Sequence, residues 1–334
     1  MNNIKTIRLS SLIFIIPLFL FAGCATTQPV HSPEPLSPVM AFVAEDTGSK
    51  ISRFAPVFLV DESDKKYNLI GKPKARYDEN GDELIFVDPQ EHAVYWQEID
   101  FTTEKATYTN LIYRVHFQKV PFSILPFHLI SGNNVGLIVV VTLNDKHDPV
   151  LITTVNTCGC YCSIIPTSFL PEDSYPENWE SGNQAVYGKT LPGLIDYGSQ
   201  SVGLRSLLFS IGGETHRVQW IQHVVTQEEL SKYETVTIPL IEMEKLDQLS
   251  ISDGTTSFFE TTGSRNGYVK GSSKIWERLL MSWWAFDWNI GVYKRYGQSK
   301  GMNTIFYTSL KIWARDDSDM WNFPRFLEYW GWKL

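Results

Sequence analysis

The stretch Leu137–Cys162 constrains this chain more than any other part of it. Leu137–Leu143 (LIVVVTL) and Val150–Asn156 (VLITTVN) are β-branched runs separated by the polar segment NDKHDP. Such runs favour a pleated, packed surface, and the Asn/Asp/Pro segment has turn chemistry, so the stretch predicts a buried β-hairpin. Its second strand runs into Cys158-Gly159-Cys160-Tyr161-Cys162. Every cysteine beyond position 24 is therefore delivered to one place.

Short strand-like runs recur through the rest of the first 270 residues. Pro56–Val60, Ala93–Trp96 and Asn110–Phe117 are examples, and Leu84–Val87 follows the turn segment DENGDE. Asn80-Gly81 within that segment favours the positive φ of a tight hairpin turn. Asp78, Asn80, Asp82 and Glu83 have the composition of a calcium loop without the ligand spacing of an EF-hand, so they are read as a turn. Ser206–Ile211 and Arg217–Val225 predict a second hairpin, followed by a short helix over 227–232 that Thr226 and Glu229 would cap. Residues 166–200 hold several Pro and Gly with little periodicity and predict a long surface excursion. His147 belongs to the NDKHDP turn and is expected to be solvated.

At the amino terminus, Lys5 and Arg8 precede an apolar run over Leu12–Phe21, with Ala22-Gly23 just before Cys24. That is the layout of a secretory leader, about half the length needed to span a bilayer. Leu20-Phe21-Ala22-Gly23-Cys24 resembles the lipobox of bacterial lipoproteins, with Phe21 standing where that family usually has a small aliphatic residue. The resemblance implies lipidation of the Cys24 thiol and cleavage before it. Ala25, rather than Asp, implies sorting to the outer membrane, facing the periplasm. Residues 25–38 (ATTQPVHSPEPLSP) have almost nothing to bury and read as a flexible tether, with His31 solvated in it.

The formal charge is −8, or −10 from Cys24 onward once Lys5 and Arg8 are gone. An acidic balance of this size argues against a nucleic-acid partner. Its distribution is uneven: residues from Lys274 onward carry +3, leaving −13 on residues 24–273. Eight of the eleven tryptophans also lie beyond Lys274. Charge and aromatic content change together, which predicts a structural boundary near Gly271 between a body (41–271) and a C-terminal subdomain (272–334).

In that subdomain Ile275, Leu279, Trp283, Phe286, Ile290 and Tyr293 follow helical spacing, predicting a helix over Lys274–Arg295 that is apolar nearly all round. Further helices are expected over Thr304–Arg315, with Phe306, Leu310 and Trp313 inward, and from Asn322, with Pro324 in the first turn. Asp316, Asp317 and Asp319 between them read as capping and turn residues. The aromatic content admits three readings: core packing, a lipid-facing patch of Trp with Lys/Arg, or stacking platforms for envelope glycans. Under the second and third, Trp276, Trp284, Trp288, Trp330 and Trp332 are the membrane- or ligand-facing aromatics.

The cysteines also admit more than one chemistry. Cys158, Cys160 and Cys162, with His128 or His116 supplied by a neighbouring strand, form a donor set suited to zinc or Cu(I). An oxidising compartment favours a disulfide with one thiol left over. Buried packing of three small side chains is the third reading. Thiol catalysis would need a lowered pKa and a nearby histidine. No G-x-S-x-G, H-E-x-x-H or P-loop motif is present. The expectation is thus an α+β protein with a β-rich body of mainly antiparallel strands and a Trp-rich helical C-terminal subdomain. It would be lipid-anchored in the bacterial envelope, with a non-catalytic role in membrane-proximal interaction or assembly and an envelope protein or glycan as partner. The alternative is a metal-binding or thiol/disulfide redox protein centred on Cys158, Cys160 and Cys162.

Overall fold

A computed structural model describes residues 37–198, 207–223, 227–298, 301–302 and 304–334. The expected leader, Cys24, most of the tether with His31, and Thr226 of the expected capping box lie outside the described residues. In chain order the first elements are β1 (Val39–Ala44), α1 (Lys50–Arg53), β2 (Val57–Asp61), β3 (Lys72–Tyr77), β4 (Glu83–Asp88) and β5 (Val94–Thr102). The long central strands follow: β6 (Thr107–Val120), β7 (Gly132–Leu143), β8 (Pro149–Asn156) and β9 (Ser163–Pro166). Then come β10 (Asn183–Val186), β11 (Lys189–Pro192), β12 (Leu207–Ile211), β13 (Val218–His223) and α2 (Gln227–Leu230). The chain closes with β14 (Glu234–Ile238), β15 (Leu240–Glu242), β16 (Leu249–Ile251), β17 (Gly254–Thr256), α3 (Ile275–Ala285) and α4 (Phe323–Tyr329).

Two sheets dominate. One has the order β15-β5-β6-β7-β8-β9 and the other β13-β12-β2-β1-β14. Pairings are antiparallel except β15–β5, β1–β14 and β12–β2. The protein is α+β and strand-dominated, with a few short helices. The expected hairpin is its centre: β7 pairs β8 with Val140 opposite Thr153, and all of β8 is buried, as is β7 from Asn134 on. Burial on both faces is what an unbroken β-branched run implies. The turn forms because the Asn144 side chain accepts the Lys146 and Asp148 amides, both at 2.9 Å. His147 sits exposed there, as expected. Phe42, Phe58 and Phe209 of the five-stranded sheet share one core with Leu111, Val139 and Ile152 of the six-stranded sheet.

The other turn readings hold. β3 and β4 form an antiparallel ribbon whose turn is closed by the Asp78 carboxylate on the Asn80 and Asp82 amides, with Gly81 at φ +82°. β12 and β13 form the second hairpin, and α2 follows it. The excursion 166–200 is more ordered than expected, because β10 and β11 pair around Tyr187-Gly188, both at positive φ as a two-residue hairpin turn requires.

The C-terminal helices differ more. α3 ends at Ala285, where Phe286 takes a left-handed conformation and its amide caps Ser282 O. Ile290, Val292 and Tyr293 are still buried, but from irregular chain rather than from a helix. The helix expected over 304–315 does not form beyond a single 3₁₀ turn at Ile312–Ala314. Segment 318–321 takes its hydrogen bonds instead: Thr308 N bonds Ser318 O, Met320 N bonds Phe306 O, and the Asp319 carboxylate accepts from Phe306 N. α4 begins after Asn322 as expected, with Phe323, Phe326 and Leu327 buried. Residues 35–334 form one unit, in which Phe323 packs on Phe101 and Trp332 on Trp179.

Candidate functional site

α3 is built inside out. Ile275, Trp276, Leu279, Leu280, Trp283 and Trp284 are exposed, Trp283 at 73%. Lys274, Glu277, Ser282 and Ala285 are buried beneath them. Glu277 and Lys274 form an ion pair at 3.3 Å, and the Lys274 ammonium lies 4.5 Å from the centre of the Tyr293 ring. Gly291, at φ +71°, leaves the space Glu277 fills, since a Cβ there would stand 2.1 Å from Oε2. The polar side of this helix is therefore the side that has partners, and the apolar stripe is left outward.

The outward face extends beyond the helix. Phe122 stacks on Trp276 at 5.6 Å and Phe127 meets it edge-on at 5.9 Å. Between them Ile124 and Leu125 are open to solvent, Leu125 at 92%. At the other end Phe286 is 75% exposed, Arg278 covers the exposed Trp288 ring, and Arg315 donates to Ala285 O. The adjoining turn leaves Trp313 78% exposed. Trp313 was expected to point inward; with no helix over 304–315 there is no inner face for it, and only Phe306 is buried while Leu310 is half-buried. Trp276, Trp284, Trp288 and Trp330 are exposed. Trp332 departs from the expectation. It is 2% exposed, held between Trp179 and Tyr175. The loop carrying Phe122–Phe127 was missed in the sequence, where FSILPF has no helical or strand period.

The cysteines sit in a tight turn at the end of β8. Gly159 N bonds Asn156 O at 2.7 Å, Asn156 N bonds Cys160 O at 3.0 Å, and Gly159 lies at φ +91°. The Tyr307 carbonyl would be 2.0 Å from any Cβ at position 159, so glycine is required twice over. All three thiols are free; Cys158 is buried, and Cys160 and Cys162 are half-buried. Cys158 and Cys160 flank the left-handed Gly159 in this turn. Lys294, buried, donates from Nζ to Cys158 O at 2.7 Å and lies 4.4 Å from the Tyr307 ring centre. Burial alone would raise the Cys158 pKa, but the neighbouring Cys160 and the Lys274 and Lys294 charges bring it below the usual thiol value. Cys160 is raised by the neighbouring Cys158 and by burial, and burial pushes Cys162 up to about 12.

The histidines expected at this cluster are elsewhere. His128 bonds Pro121 O through Nδ1 at 3.0 Å and lies 3.6 Å from Glu214 through Nε2. His116 accepts from Arg114 Nε at 2.9 Å, and burial holds its pKa far below normal, so it is neutral. Among the described residues no three His, Cys, Asp or Glu side chains are gathered to hold a metal ion. Cys162 faces a different space, a cavity of about 380 Å³ lined by Trp179, Gln184, Tyr187, Trp330 and Trp332. The lysines were missed because no local pattern in the sequence brings Lys274 and Lys294 to Cys158. No known protein family, curated protein or solved structure matches the chain.

Proposed function

We propose that this is a lipid-anchored protein of the bacterial envelope whose non-catalytic role, in membrane-proximal interaction or assembly, depends on seating its outward aromatic face on a lipid surface. The observation that carries this reading is the orientation of α3. A helix with Trp, Leu and Ile outward and Lys274 and Glu277 buried has an apolar face that its own chain leaves uncovered. A contiguous apolar patch of this kind marks an interaction surface. Its chemistry suits the headgroup region, where tryptophan rings settle, and Phe122, Ile124 and Leu125 extend it at the level of the helix. Each half-exposed large side chain taken out of water contributes about 1 kcal/mol, enough in aggregate for reversible binding. The lipobox-like leader supports the same reading, since an anchor at Cys24 on a flexible tether would keep the domain close to the bilayer.

Two measurements test it. Cys24→Ser should abolish fatty-acid labelling and lipoprotein-type cleavage; a mutant labelled like wild type rules the anchor out. The same non-lipidated protein should bind vesicles of phosphatidylglycerol and phosphatidylethanolamine with blue-shifted tryptophan emission. Leu279→Glu with Trp283→Glu should reduce that binding at least tenfold while leaving the circular dichroism unchanged. If the double variant binds as well as its parent, or neither binds, the face serves something other than lipid.

A further inference from the structure

We propose that the cavity beside Cys162 is a binding site for a neutral saccharide, held by stacking a sugar ring on the aromatic side chains that line it. This site is separate from the outward face of α3 and does not rest on the membrane reading. Parts of the chain far apart in sequence build it: β9, the β10–β11 hairpin, Thr308 and the residues just after α4. Its volume of about 380 Å³ falls within the span of small-molecule sites, roughly 300–1,000 Å³. Exposure of the lining rings falls from Tyr187 at 65% through Trp330 at 41% to Trp332 at 2%. Aromatic surface therefore runs from the mouth of the cavity to its floor.

Three observations select the ligand. The first is that the rings are fixed in advance. Trp179 Nε1 donates to Gly193 O at 2.9 Å, Trp330 Nε1 donates to Thr308 Oγ1 at 3.0 Å, and Trp332 meets Trp179 edge-on at 4.9 Å between centroids. With those two N–H groups satisfied by protein, the indoles offer a ligand their faces, which suit the C–H faces of a sugar ring. Side chains already held in place lose little freedom on binding. The second is charge: among the described residues no Lys, Arg, His, Asp or Glu lines the cavity. A charged ligand would give up its hydration there without meeting a counter-charge. The third is the placing of polar groups. Gln184 Nε2 donates to Ile164 O at 3.2 Å and to Pro192 O at 3.1 Å, which orients the amide and leaves Oε1 to accept from a ligand hydroxyl. Thr308 Oγ1 accepts from Trp330 and donates to Ser318 O, and keeps a second lone pair. A hydrocarbon tail would take these groups out of water with no bond in return, whereas a hydroxyl-bearing ring can satisfy them.

The test is calorimetric titration of the full chain carrying Cys24→Ser with cellobiose, maltose and N,N′-diacetylchitobiose, and with decanoate as a hydrocarbon probe. At least one of the three disaccharides should bind saturably with one site per chain, and decanoate should not displace it. Trp330→Ala and, separately, Tyr187→Ala should each weaken that binding at least fivefold. Trp283→Ala, on the outward face of α3, should leave it unchanged. No saturable binding of any disaccharide would overturn the proposal. So would binding lost through Trp283→Ala and kept in the two cavity variants, and so would displacement of the sugar by decanoate, which would give the cavity to a lipid tail. Should Trp330→Ala fail to fold, Tyr187→Ala decides, because that side chain is largely in solvent. Vesicle binding by Tyr187→Ala should match its parent, so that the cavity and the membrane face are judged apart.

Discussion

His216 shows how much burial does at a single residue. It is fully buried, stacked on Phe117 at 4.2 Å, with Nε2 3.1 Å from the Tyr67 carbonyl. Burial lowers its pKa from 6.5 to about 3. Below pH 6.5 the unfolded chain therefore takes up a proton that the folded chain refuses until about pH 3. The unfolded state binds more protons in that window, so stability falls as pH falls through it. His116, lowered by burial beside Arg114, acts in the same direction. His216→Phe should cost about 1 kcal/mol at pH 8 through the lost bond to Tyr67 O, and flatten the decline between pH 6.5 and 3. Urea unfolding at pH 8, 6 and 4 measures both effects. An unaltered pH slope would show that His216 is not the group responsible.

At the scale of elements, α3 is where local pattern and final placement part. Its start, its stripe and its length as far as Ala285 follow from residue spacing. Which side faces inward does not, because the usual rule assumes that the apolar side wins the interior. Here Lys274 and Glu277 win it, by pairing with each other and packing on Tyr293 and Gly291. Substitutions should therefore behave opposite to the pattern. Leu279→Gln and Trp283→Gln, on the exposed side, should change stability by less than about 0.5 kcal/mol. Ala285→Leu, on the buried side, should cost about 1–3 kcal/mol through overpacking. Thermal melts of the three variants give the comparison, and a reversed ranking would mean that the helix is turned the other way. The central hairpin is the contrary case: β7 and β8 are buried on both sides, so there was no face to choose.

For the whole molecule, the charge division bears on how the protein would approach lipid. No helix among the described residues is long and apolar enough to cross a membrane. The last 61 residues carry +3 and the rest of the chain from Cys24 carries −13. Within a Debye length of about 10 Å an anionic surface senses the nearer, basic part first. Binding of the non-lipidated protein should accordingly be several-fold stronger to anionic than to zwitterionic vesicles at low salt. Raising the salt should weaken that binding without abolishing it, because the apolar contribution is not screened. Vesicle sedimentation across a salt series tests this; equal binding to both lipids at every salt would remove the electrostatic part of the argument.

Spacing and composition carried the strand-dominated α+β fold, the central hairpin, the turns at Asn80-Gly81 and Asn144–Asp148, the start of α4 and the convergence of three cysteines. Each depends on neighbours in the chain: β-branched runs, side chains that bond their own turn, and residues two apart. Tertiary structure alone decided the direction of α3, the absence of a helix over 304–315, the burial of Trp332 and the company of Cys158. Those outcomes depend on residues far along the chain. Gly291 makes room for Glu277, segment 318–321 takes the hydrogen bonds of 306–308, Trp179 covers Trp332, and Lys294 reaches back to the Cys158 carbonyl. A hydrogen bond or buried charge is satisfied by whatever the fold brings within about 3 Å, and no local period records which distant residue that will be.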